Sequence, residues 1–250
     1  MSPGAPRTLP PLIAIVGCDG SGKSTVSEEL LQWVSGYGPA AAAHLGKQQG
    51  NTGRSLSSLP LVGRWLGHFI ESKASTVRKF RTTNKAPHTF PAIVMYAFTL
   101  RRVRRYKRML ALREKGLIVI ADRYPQLDIP SAFDGPDMSV TAAGNAFVRK
   151  LAQREQAAFE WMTSYRPDLV IRLNVDIDTA FARKPDHRRE ALERKINITP
   201  QFTFGGANIA EIDATQALPE VLAAARAAVA AMMEDHGYSR SEAPGATGAA

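Results

Sequence analysis

The sequence predicts an α/β protein built on a parallel sheet with helices over both faces. Two observations carry this. Short apolar runs alternate along the chain with stretches of helical periodicity, the pattern of strands joined by helical crossovers. The first run, Leu12–Val16, passes through the glycine-bearing stretch "GCDGSGKST" into a helical pattern, so strand, loop and helix follow one another directly. No internal repeat competes with this reading. Right-handed crossovers would gather the loops that follow the strands along one sheet edge, where sites in such folds lie.

The elements follow in order. Leu12–Val16 is a buried strand, and Lys23–Val34 places Val26, Leu30, Leu31 and Val34 at helical spacing. The text from 36 to 60 is rich in Gly, Ser, Ala and Asn, with a short strand "AAAAHL" at 40–45. A helix is expected over 61–72, and "TVRKFRTTNKAPHTFP", 76–91, reads as a basic loop. A longer helix spans 93–115, with Gly116 as its stop. "LIVIA", 117–121, is the central strand and delivers Asp122 to its C-terminal end. "DRYPQLDIPSAFDGPDM" sets prolines among acidic and aromatic residues, which makes it a shaped loop. A helical pattern returns over 145–165, "PDLVIRLNV" at 167–175 is a further strand, and a short helix leads into a basic, polar segment at 183–194. A short strand near 209–212 and an alanine-rich helix over 219–233 complete the pattern. Trp65, Trp161, Met232 and Met233 are expected to be packing residues. After His236 the composition shifts to Gly, Ser, Pro and Ala, which bury too little to order themselves.

With 250 residues, 44% of them apolar, one well-packed core is the default. The lone cysteine, Cys18, excludes an intrachain disulfide framework and suits a reducing compartment. No run approaches the roughly 18 apolar residues of a membrane-spanning helix, and "MSPGAPRTLPPL" lacks the basic, apolar and cleavable succession of an export signal. The expectation is a cytoplasmic protein with no integral membrane segment. Its net charge of +9 is uneven: between Ala41 and Arg108, 14 Lys or Arg face the single acid Glu71. Such a field attracts anions in general, whether nucleotides, phosphosugars, nucleic acid or a membrane surface, without choosing among them.

Gly17, Gly22, Lys23 and Ser24 match G-x-x-x-x-G-K-[ST], after a strand and before a helix as that motif requires. Backbone N–H groups of Gly17, Cys18, Gly20, Ser21, Gly22, Lys23, Ser24 and Thr25 would turn around phosphate oxygens, because glycines remove the Cβ atoms in the way. The helix N-terminus adds orphan donors, and Lys23 is a mobile point charge for the β and γ phosphates. Ser24 can place its hydroxyl on Mg²⁺. Asp122 is the candidate carboxylate for the metal, directly or through a water; the plainer alternative is a strand-end cap or a partner for Arg123. Asp19, inside the cradle, would repel ATP phosphates, so it is expected to face the acceptor or the waters of the metal. ATP and Mg²⁺ are the cofactors this chemistry predicts.

With "GCDGSGKST" and "DRY" both located, the chain resembles the thymidylate kinase family of P-loop nucleoside monophosphate kinases, which transfer the γ-phosphoryl of ATP to dTMP. The resemblance implies a three-layer P-loop kinase fold with a five-stranded parallel sheet, a closing basic lid at about 183–194, and often a homodimer. It places Asp19 at the acidic loop position near the acceptor sugar, and Asp122 with Arg123 near the metal and the acceptor phosphate. "PDLVIRLNVDIDTAFAR" resembles the strand and helix leading into the lid, and "EIDATQALPEV" the closing strand and last helix. The implied kinase domain spans 12–236, between a flexible N-terminus at 1–11 and a disordered tail at 237–250. Two departures fall on the acceptor side. The segment 36–92 is longer and more basic than the usual route to the acceptor pocket. "PQLDIPSAFDGP" stands where the family has a serine and a short aromatic, glutamine-bearing helix that holds thymine. An acceptor other than dTMP is therefore expected.

"ARKPDHRRE" offers Arg183, Lys184, His187, Arg188 and Arg189; Arg183 and Arg188 are candidate clamps on a transferring phosphoryl group, against the alternative of a solvated basic face. In "RRVRRYKR", Arg101, Arg104, Arg105 and Arg108 share one helical face with Arg102 beside it. One or two could reach an acceptor phosphate, with the rest in solvent. Aromatics are not interleaved with these charges, so a single-strand stacking platform is weakly supported. His44, His88 and His187 lack metal-site partners in sequence, and no structural zinc is expected. The favoured reading is Mg-ATP-dependent transfer to a small acceptor that is already a phosphate monoester, which needs no strong general base. One alternative is a kinase of a sugar, phosphosugar, glycan or nucleic-acid end, with Asp19 or Asp128 as base. The other is a nucleotide-responsive binding module that docks an anionic polymer.

Overall fold

A computed structural model describes residues 9–46, 87–129, 132–142 and 144–241. The expectations for the first eight residues, for the helix at 61–72 with Trp65, for most of the basic loop and for 242–250 lie outside the described residues. The strands are β1 (Leu12–Gly17), β2 (Ala40–His44), β3 (Ile118–Asp122), β4 (Leu169–Asn174) and β5 (Ile209–Asp213). The helices are α1 (Lys23–Val34), α2 (Thr89–Glu114), α3 (Ala146–Thr163), α4 (Ile177–Arg183), α5 (Arg189–Ile198) and α6 (Leu218–Asp235), with a 3₁₀ turn at Thr199–Gln201. The chain divides into two compact units: Met1–Leu45 with Arg105–Tyr124 and Tyr165–Ala250, and Gly46–Arg104 with Pro125–Ser164.

The first unit holds the sheet, in the order β2-β3-β1-β4-β5 with every neighbouring pair parallel. All residues of β1 are buried, as a central strand covered on both faces requires. Ile13 and Ile15 join Ile120, Ile171, Leu173 and Ile212 on the face that meets Val26, Leu30 and Val34 of α1 and Val221, Ala225, Val229 and Met233 of α6. This apolar face, ~1.5–3 kcal/mol for each fully buried large side chain, holds the layers together. Register then fixes the geometry of one edge. Ile15 lies opposite Asp122, His44 lies opposite Asp122, and Asn174 lies opposite Asp213, so the C-terminal ends of the strands line up beside Gly17. This is the five-stranded parallel α/β architecture that the sequence predicts.

Three local departures have physical reasons. α2 begins at Thr89, so Thr89, Phe90 and Pro91 are helical rather than loop; Pro91 sits in the first turn, where its missing N–H leaves no ladder bond unmade. The helix stops as expected, with Gly116 N–H on Arg113 O at 2.9 Å and Leu117 N–H on Leu112 O at 3.1 Å. α5 begins inside the segment read as basic and polar, 183–194, and runs on to Ile198. Six of its ten residues are polar, and its order comes from tertiary contact: Leu192 and Ile196 pack with Cys18, Val175 and Ala180, and Arg189 pairs with Asp178 at 2.6 Å. Of the segment expected as a tail, residues 237–241 are described. Ser241 N–H reaches Gly36 O at 3.0 Å, and the Arg240 guanidinium lies 5.0 Å over the Trp33 ring.

In the second unit, Ala92 and Met95 of α2 pack with Val148, Leu151 and Ala152 of α3 and with Met138. The loop after β3 has neither helix nor strand among its described residues up to 145. Its shape is held by the buried Gln126, whose amide donates to Ile129 O (3.1 Å) and Phe133 O (3.2 Å) and accepts from Ile129 N–H (3.0 Å). Of the α2 arginines, Arg102 is the buried one, at 1% exposure, and it grips Asp134 through carboxylate (2.6 Å) and carbonyl (2.8 Å). Arg104 and Arg108 are exposed. Among the described residues no helix is long and apolar enough to cross a membrane.

Candidate phosphate-binding site

β1 delivers the chain to a loop that approaches its neighbours too closely for side chains at two places. A Cβ on Gly17 would stand 2.5 Å from Ser21 Oγ and 2.8 Å from Leu173 O, and one on Gly20, at φ +88°, would stand 2.7 Å from Ala180 O. The loop ends at Gly22, the N-cap of α1, which provides no side-chain cap. The first-turn N–H groups of α1 therefore point outward as orphan donors, with Ser24 and Thr25 exposed beside them. Cys18 is buried in the cluster with Val175, Ala180 and Leu192, and burial pushes its thiol pKa up. It is a packing residue whose carbonyl accepts the Lys23 ammonium at 2.6 Å.

Lys23 is itself buried, at 8% exposure. Burial, with the like charge of Arg123, lowers its pKa, while Asp19 and Asp122 act in the opposite sense. Two further buried oxygens, Ser21 Oγ and Asp122 Oδ1, have no hydrogen-bond partner among the described residues. The other oxygen of Asp122 accepts from His44 Nδ1 at 3.0 Å, the residue opposite it across β2 and β3. Asp122 is thus a partner of His44. These features fit a phosphate and a magnesium ion. The absence of Cβ atoms at Gly17 and Gly20 lets the loop lie against Leu173 and Ala180, and the Asp122 carboxylate acts electrostatically on Lys23, the first residue of the helix turn that carries Ser24. The described residues include no group of three or more His, Cys, Asp or Glu able to hold a metal.

Asp19 collects cations from two other elements. Arg123 Nη2 lies 3.2 Å from Oδ1, Lys195 of α5 donates to Oδ2, and His187 Nε2 stands 3.9 Å from the same oxygen. Burial alone would raise the Asp19 pKa; the charge and hydrogen bond of Lys195, with Lys23 and Arg123, outweigh it and hold the carboxyl well below the ordinary range. Arg123 adopts φ +58°, a left-handed conformation costly for a side-chain-bearing residue. Arg183 donates to Gly20 O (3.2 Å) and Ala214 O (3.0 Å), tying the cradle to the loop after β5. Arg188 is exposed, and its partner is Glu190 at 3.8 Å. Asp128 is exposed in the second unit.

The sequence reading missed Lys195 and the pairing role of His44. Lys195 follows the buried Leu192 by one helical turn, so the apolar pair Leu192 and Ile196 carried the available signal. His44 carried a weaker one, as the last residue of a short alanine strand.

No protein-family model matches the chain. It is 42% identical over 223 residues to the uncharacterized ATP-binding protein YghS of Escherichia coli K12, covering 89% of this chain and 93% of that protein. YghR of the same strain is 39% identical over 225 residues, with 90% and 88% covered. A thymidylate kinase of Parasynechococcus marenigrum WH8102 is 28% identical over 207 residues, covering 80% of this chain and 84% of that enzyme. Identity at this level along nearly the whole chain, on a fold whose central loop has the geometry described above, means that the chain belongs to the family of the YghS and YghR ATP-binding proteins.

Proposed function

We propose that the protein is a Mg-ATP-dependent kinase that phosphorylates a small acceptor already carrying a phosphate, and that this acceptor is not dTMP. The observation that carries the reading is the cradle itself: a loop with no room for Cβ atoms at Gly17 and Gly20, a buried Lys23 whose ammonium is held on Cys18 O, and, at the adjacent strand end, Asp122 Oδ1 unpaired among the described residues. The names of YghS and YghR support the nucleotide, and the distant likeness to a thymidylate kinase supports the reaction class.

In this reading ATP supplies the phosphoryl group, and Mg²⁺ screens its charge. Backbone N–H groups of Gly17–Thr25 orient the phosphates, and Lys23 offsets the charge that moves with the phosphoryl group. Ser24 and Asp122 would hold the metal or one of its waters. Arg183, through Gly20 O, fixes the turn of the cradle. Asp19 is a weak base, because its cations stabilise the ionised form. A hydroxyl acceptor would need a base there, whereas a phosphate monoester brings its own nucleophilic oxygen. The acceptor side supports a departure from dTMP: among the described residues after Arg123, Gln126 pins a turn with Ile129 where the resembled family has the helix that holds thymine.

ATP consumption by the purified protein, measured against nucleoside monophosphates, phosphosugars, sugars and oligonucleotides, tests this. Saturable transfer to one phosphate monoester, with dTMP well below it in kcat/KM, is the expected result. Highest kcat/KM with dTMP would return the chain to ordinary thymidylate kinase chemistry. Transfer to a hydroxyl compound would favour the sugar or chain-end reading, and polymer binding without transfer would leave a binding module.

A further inference from the structure

Lys195 belongs to no motif, yet it comes from α5 to the oxygen of Asp19 that also lies nearest His187, while Arg123 takes the other oxygen. We propose that Lys195 is a second cation for the phosphate of the acceptor, beside the Arg123 that the family resemblance already implies there, and that Asp19 is the internal counterion that this phosphate displaces. The proposal rests on the phosphoryl-transfer reading above and names how the acceptor is held.

Three observations support it. The two cations reach one carboxylate from separate elements, the end of β3 and the second half of α5, so they converge on a point rather than forming a surface stripe. Arg123 is held there in a left-handed backbone conformation, a cost retained when the direction of a side chain matters. The pair is also accessible: the Lys195 side chain is 32% exposed and that of Arg123 35%, while Asp19 beneath them is 15% exposed. A phosphate dianion arriving from solvent meets the cations first. It carries more charge and more acceptor oxygens than a carboxylate, so it can take both partners.

Asp19 in this role competes with the ligand, which fixes the sign of the test. Protein saturated with a non-hydrolysable ATP analogue and Mg²⁺, so that the cradle is filled, is titrated calorimetrically with inorganic phosphate. Wild-type protein should bind phosphate at a second site. Lys195→Met should weaken it by at least about tenfold, and Lys195→Arg should stay within about threefold of wild type. Asp19→Asn should tighten it by roughly three- to tenfold, an effect that a merely structural role would not produce. Unchanged affinity in Lys195→Met, weaker binding in Asp19→Asn, or no second site in the wild type would overturn the proposal. Thermal melts of each variant exclude unfolding as the cause. If the analogue itself does not bind, the phosphoryl-transfer reading fails on its own. The titration of nucleotide-free protein, compared between Lys195→Met and Lys23→Met, then still decides whether Lys195 seats an anion: loss only in Lys23→Met would overturn it.

Discussion

Around Lys23 and around Glu155 the chain buries polar groups to opposite effect. At the sheet edge, Ser21 Oγ and Asp122 Oδ1 are buried without partners among the described residues, and the first-turn donors of α1 face outward. In the second unit Glu155 is fully buried and accepts from Thr99 Oγ1 (2.7 Å), Asp137 N–H (3.1 Å) and Met138 N–H (2.8 Å). Arg102 there closes on Asp134 through two acceptors. An unmade buried hydrogen bond costs about 1–3 kcal/mol, so a fold retains such groups where a ligand completes them. Satisfied groups set the shape of a loop. The difference separates buried polar groups left open from buried polar groups already satisfied, although both regions are rich in charge.

Substitutions can break this contrast. The largest effect is expected from Lys23→Ala: turnover should fall by several orders of magnitude, about 10³ or more, with the melting temperature of the ligand-free protein little changed. Steady-state kinetics with any accepted substrate and a melt of the same preparation check both halves. Glu155→Ala should do the reverse, costing about 3–5 kcal/mol in urea unfolding because three donors lose their acceptor. If Glu155→Ala melts like wild type, the second unit is not organised by that carboxylate. Gly20→Ala should cost about 1–3 kcal/mol, since its Cβ would press on Ala180 O at 2.7 Å from a left-handed φ, and it should weaken nucleotide binding as the turn shifts.

Asp19→Asn sharpens the comparison through pH. The folded carboxyl is held below its ordinary range, so its ion pairs contribute fully above the unfolded pKa of about 3.9 and are lost as pH falls from there toward the folded value. The variant should be less stable than wild type by about 1 kcal/mol at pH 7, and the gap should close below about pH 4. Denaturation curves across that range show whether it does. The smallest effect belongs to Arg188→Ala, whose exposed pairing with Glu190 predicts a stability change within about 0.5 kcal/mol. A large loss of turnover in this variant would restore Arg188 as a phosphoryl clamp that α5 brings inward during the reaction.

Much of the fold was legible because its signals are local. The apolar run before Gly17, the spacing of Val26, Leu30 and Val34, and Gly116 as a stop each act within a few residues, and the elements lie where those signals put them. α5 was not legible, because one buried leucine and an adjacent isoleucine cannot outvote a run of charges. Asp122 could be placed at a strand end but not given a partner. His44 lies 78 positions away in the sequence, and only the pairing of β2 with β3 brings it opposite.

By itself, the sequence determined the phosphate cradle and the parallel α/β plan, since both rest on contiguous residues: glycines, a lysine and a hydroxyl at fixed spacing, and apolar runs of strand length. Only the tertiary structure decided which charges meet. Asp19 takes Lys195 from α5 and Arg123 from the end of β3, Arg102 is the one of six clustered basic residues that is buried, and Arg188 is left in solvent. The reason is physical. A charge is long-ranged and carries no address, so many pairings are open to an extended chain. Packing of the apolar faces and the register of the sheet then bring a few of these charges within hydrogen-bonding distance.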